Sequence, residues 1–81
     1  MIAILAKTQK IAMVELGSLD VVKFNSSRMR GALKTETGVE DFGIFTEQNE
    51  PRGFEFNRIM VLGPPVSDKL MHLAECGMRR P

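Results

Sequence analysis

The sequence has no tryptophan and no tyrosine, and only one cysteine and one histidine among its 81 residues. A lone cysteine cannot close an internal disulfide, and a secreted domain this small ordinarily carries several, so the composition points to a reducing, cytoplasmic setting. Without Trp or Tyr, the stacking platforms that single-stranded nucleic acid uses have to come from five phenylalanines alone. Long apolar runs are missing as well. The N-terminal run is apolar for only five residues after Met1, whereas a signal-peptide core needs roughly 7–15 and a membrane span ~20, so neither export nor a membrane partner is expected. The seven glycines are scattered and form no G-x-G-x-x-G or other phosphate-binding loop, so no nucleotide cofactor is indicated.

What is present is the balance of an ordinary folded chain, 43% hydrophobic and 26% charged with a formal net charge of +1. Residues 1–81 read as a single small domain, one that buries only roughly 60–65% of the surface its unfolded chain exposes. A partner or a second copy would add to its stability.

Period and punctuation suggest an α+β fold: a small antiparallel β-sheet or partly closed barrel of five to six strands, with a C-terminal helix packed on it. Residues 2–6 (IAILA) and 11–16 (IAMVEL) read as a hairpin joined across a polar break, apolar on both faces. Residues 19–24 (LDVVKF) read as a third strand. Residues 25–38 fit two patterns: a helix capped by Asn25, Ser26 or Ser27, and a strand with Arg30, Lys34 and Glu36 on one side. Residues 42–47 and 54–62 read as further strands, and Pro64-Pro65 opens a helix over about 65–76 that Gly77 stops.

The only histidine and the only cysteine, His72 and Cys76, fall at i and i+4 of that last helix, where two side chains can hold one metal ion. A structural zinc needs four ligands, and no second Cys or His exists, so no metal site is expected. A cysteine–histidine nucleophile needs an orienting third group and an oxyanion site, and no motif supplies them, so no catalytic residue is assigned. The carboxylates at 36, 40, 41, 47, 50 and 55 read as a solvated acidic segment.

Charge carries the strongest signal. Residues 1–34 sum to +4, residues 35–57 to −5 and residues 58–81 to +2. The basic set Lys23, Arg28, Arg30 and Lys34, extended by Arg79 and Arg80, is the candidate partner-binding surface; Arg30 and Lys34 share a side whether the segment is helix or strand. Phosphate binding is one use of such a set. Electrostatic pairing with another protein is a second, and simple solvation of one face is the third. A pI near 7.9 lies below the ~9 typical of a dedicated nucleic-acid domain. Six methionines, with two-faced strands, hint at spare apolar surface that another chain covers, a homo-oligomer among the options. The expected function is therefore that of a small intracellular binding protein, not an enzyme, acting through protein–protein contacts as a regulator, adaptor or inhibitor. The alternative is a nucleic-acid-binding regulator using the same cations.

Overall fold

A computed structural model of the chain describes residues 1–78. The elements run β1 (Ile2–Ala6), α1 (Gln9–Glu15), a 3-10 turn (Leu16–Ser18), β2 (Val21–Asn25), β3 (Arg30–Thr35), β4 (Gly38–Phe45), β5 (Arg58–Leu62) and α2 (Asp68–Gly77). The strands form one open sheet in the order β2-β3-β4-β1-β5. β1 runs parallel to both β4 and β5, while β3 is antiparallel to β2 and β4. The fold is thus α+β with a C-terminal helix, but the sheet is mixed and open, neither purely antiparallel nor a barrel.

The departure starts at 11–16, which is helical rather than the second arm of a hairpin. A run this short has no decisive period, and local capping settles it: Thr8 Oγ1 accepts from the Ile11 amide at 3.2 Å, opening α1. Ala12 and Leu16, at i and i+4, then reach the core. With β1 no longer in a hairpin, its neighbours arrive by longer crossovers, which is how parallel pairing is made.

Both faces of the sheet are packed. On one, Ile2, Ile4, Phe42, Ile44 and Leu33 meet Ala12 and Leu16 of the α1 segment. On the other, Ala3, Leu5 and Phe45 meet Leu70 and Ala74 of α2 together with Phe56. Helix α2 begins at Asp68, later than proline placement suggests, because Ser67 Oγ accepts from the Leu70 amide and caps it there.

Residues 25–38 resolve as a turn followed by strand β3, the strand alternative. Strand β4 starts at Gly38, four residues before the 42–47 segment read from the sequence. In the run from Phe54, only Arg58–Leu62 pairs in the sheet. Phe54 and Phe56 instead pack with Phe45, at centroid distances of 5.3 and 5.4 Å, and cover the α2 side of the sheet. That loop is tied to the helix: Glu50 accepts from Arg52 at 2.8 Å and Lys69 at 3.1 Å, and the Phe56 amide donates to the Gly77 carbonyl at 3.0 Å. Among the described residues, no helix is long and apolar enough to cross a membrane.

Strand β2 crosses β3 closely at Gly31. A Cβ there would overlap the Lys23 carbonyl oxygen and sit 3.0 Å from both the Phe24 Cα and the Phe42 ring. Gly31→Ala is therefore expected to destabilise by about 1–3 kcal/mol, the usual cost of overpacking. Gly17→Ala, with nothing within 4 Å of the added methyl, should be neutral or slightly stabilising. Urea denaturation of the two variants tests the contrast, and equal stabilities would show that β2 does not press on β3 at this point.

Candidate functional site

The site grows from the β2–β3 turn. Asn25 closes β2, and its Oδ1 accepts from the Ser27 amide at 3.0 Å, the Ser27 hydroxyl at 2.7 Å and the Arg28 amide at 3.3 Å. Such a side chain acts as a surrogate backbone carbonyl and fixes the turn. Met29 then takes a left-handed conformation, φ 54°, which costs a non-glycine residue about 1–2 kcal/mol. The cost is offset where Met29 packs on the core and its carbonyl accepts from the Ile44 amide at 2.9 Å. The turn thereby presents Arg28 and starts β3 with Arg30.

Alternation along the paired strands puts Lys23, Asn25, Arg30, Ala32 and Asp41 on the face that α2 covers farther along the sheet. Helix α2 packs over β1, so the β2-β3-β4 half of this face carries no helix. Here Lys23, Asn25, Arg28, Arg30 and Asp41 line a cavity of about 440 Å³ with Met1, Phe24, Gly31 and Phe42. Three of the cations anticipated from the sequence are thus brought to one concave site. Among the described residues none of the three is ion-paired; the ion pairs there engage Arg52, Arg58 and Lys69. The Arg30 guanidinium instead lies 4.5 Å from the centroid of the Phe54 ring, a cation–π contact.

Asp41 and Phe54 were not foreseen as parts of this site. Asp41 sits opposite Ala32, which sits opposite Lys23, so its place depends on a three-strand register that no local pattern reveals. Phe54 reaches Arg30 from a loop that read as strand.

Lys34 is separated from the set. It shares a side with Arg30, but it lies four residues on, roughly 13 Å along an extended strand. It borders a second cavity of about 360 Å³ with Asp20, Glu36, Thr37 and Arg58. Arg79 and Arg80 lie outside the described residues. His72 and Cys76 do come together on α2, with Nε2 and Sγ 3.7 Å apart. Among the described residues, no three or more His, Cys, Asp or Glu side chains cluster as a metal site.

Of the exposed large apolar residues, Met13 and Val14 belong to α1, Val22, Val39 and Val61 to three different strands, and Met78 to the end of α2. The other methionines, Met1, Met29, Met60 and Met71, pack against the two cores.

No protein-family model, curated protein or solved structure matches the chain.

Beside the second cavity stands Glu40, a carboxylate with four side-chain partners. Thr35 donates at 2.8 Å, Thr37 at 3.1 Å and Asn57 at 3.3 Å, and Arg58 stands 3.7 Å away. The Thr35 bond first, then Thr37, hold its carboxyl below the ordinary value, with Asn57 and Arg58 adding to them against the opposing effect of burial. A carboxylate with a depressed folded pKa stabilises the fold above its unfolded pKa, and that contribution is lost as pH falls through the folded value. Glu40→Gln should therefore be less stable than the parent at neutral pH, with the gap closing in acid. Urea midpoints at the two pH values test this; a gap that persists unchanged in acid would remove ionisation from the account.

Proposed function

We propose that this chain is a binding protein that receives an acidic group of a partner protein in the cavity lined by Lys23, Arg28 and Arg30. The reading rests on one observation, the gathering of these three cations, none ion-paired among the described residues, at a single concave site. Arginines bind carboxylates through paired, charge-assisted hydrogen bonds, and both arginines here are held by structure rather than by flexible linkers. Arg28 sits on a turn fixed by Asn25, and Arg30 lies against Phe54.

Asp41 favours a protein partner over nucleic acid. A carboxylate in the same cavity repels a continuous run of phosphates, yet it suits a peptide whose acidic side chain is accompanied by backbone amides or a lysine. The separation of Lys34 points the same way, because it shortens the basic track that a nucleic-acid backbone would follow.

Fluorescence anisotropy with a labelled acidic peptide and a labelled single-stranded oligonucleotide, each over a salt series, tests the assignment. The peptide should bind, and Arg28→Glu with Arg30→Glu should weaken it by at least about tenfold without unfolding the chain, since each charged hydrogen bond contributes about 1.5–3 kcal/mol. Asp41→Asn should strengthen oligonucleotide binding. Tighter binding of the oligonucleotide by the unaltered protein, with a steep salt dependence, would instead make it a nucleic-acid-binding protein.

A further inference from the structure

Helix α2 buries Leu70 and Ala74 and turns a second stripe outward, with Asp68, His72 and Cys76 at i, i+4 and i+8, all exposed. The chain's only imidazole and only thiol are on that stripe, with His72 Nε2 and Cys76 Sγ 3.7 Å apart. A tetrahedral zinc ion, with Zn–N of about 2.0–2.1 Å and Zn–S of about 2.3 Å, sets a nitrogen and a sulfur ligand roughly 3.5–3.6 Å from each other. The pair thus stands close to the spacing of one edge of such a site, with both side chains reachable from outside.

We infer that two copies of this chain share one zinc ion, each supplying His72 Nε2 and Cys76 Sγ. The second copy follows from the ligand count. Zinc in a closed site takes four ligands, each chain offers two, and no third His, Cys, Asp or Glu stands with them among the described residues. A two-fold axis through the metal completes a Cys2His2 set from identical halves. Two thiolates then neutralise the ion, each thiol releasing its proton to solvent as its sulfur binds. Half-exposed Leu73, about one turn before Cys76, offers apolar contact to the second copy. The inference is independent of the basic cavity, whose residues it does not use.

The test is the mass of the full chain by light scattering, stripped of metal and kept in a non-chelating reductant, before and after zinc is added. The expected result is a doubling of mass with one zinc bound per two chains. Both should be lost in His72→Gln and in Cys76→Ser, which are exposed and should keep the parent's circular dichroism. Cobalt(II) should replace zinc and give the intense visible and thiolate charge-transfer absorption of a tetrahedral sulfur-ligated site. Binding of one zinc per chain at constant mass, no zinc binding, or a dimer that survives either substitution would each overturn the inference.

Discussion

The arrangement depends on β1, whose five residues are all buried and whose backbone is paired on both sides with strands running in its own direction. A strand in that position exposes neither face, so each needs its own cover, and parallel neighbours cannot be joined to it by tight turns. Helix α1 and the excursion through β2 and β3 satisfy the first crossover. The loop from Thr46 to Asn57 satisfies the second, passing on the α2 side with Phe54 and Phe56 as its apolar weight. Ile4, at the centre of this strand, packs beneath the α1 segment, where a lost core side chain costs about 2–5 kcal/mol.

A chain of this size has only one helix for each face, and this decides where its polar chemistry can stand. Helix α2 lies over the β1 side of the sheet, and the remaining β2-β3-β4 surface is covered by long charged side chains and by the Arg30–Phe54 contact. The separation of charge along the sequence acquires its meaning here. Among the described residues, the acidic middle segment draws its ion-pair partners from within itself and from the C-terminal part, Glu40 from Arg58 and Glu50 from Arg52 and Lys69. Among the described residues the cations of the N-terminal part form no ion pair, and three of them meet at one cavity with Asp41 on its lining.

The legible parts of the molecule were those fixed by neighbours in sequence. The apolar run of β1, the core of β2 and the amphipathic α2 follow from period and punctuation, and the shared side of Arg30 and Lys34 survives either reading of their segment. Most of what failed was set by distant partners, and the 11–16 run turned on a local cap as well as on packing. The 11–16 run is as apolar as a strand, and Thr8 capping with Ala12 and Leu16 packing decided for helix. Phe54 and Phe56 alternate as in a strand, yet the stronger demand was cover for Phe45. In the site, Lys23, Arg28 and Arg30 are within eight positions and could be grouped by eye. Asp41 could not, because it reaches them only through the pairing of three strands.

The same distinction separates the two faces of α2. Its inner face is fixed by long-range packing. Gly77 lies so near Phe54 and Phe56 that a Cβ would meet the Phe56 ring at 2.6 Å and the Phe54 carbonyl oxygen at 2.7 Å, and Ala74 and Leu70 are buried one and two turns earlier. The Phe56 amide holds the helix's last carbonyl, so the helix can neither roll nor slide without breaking these contacts together. Its outer stripe needs no partner for folding, but it inherits the constraint. With the inner face locked, His72 and Cys76 are held on the exposed side of the helix, and their spacing along it is one turn of a helix that is itself clamped.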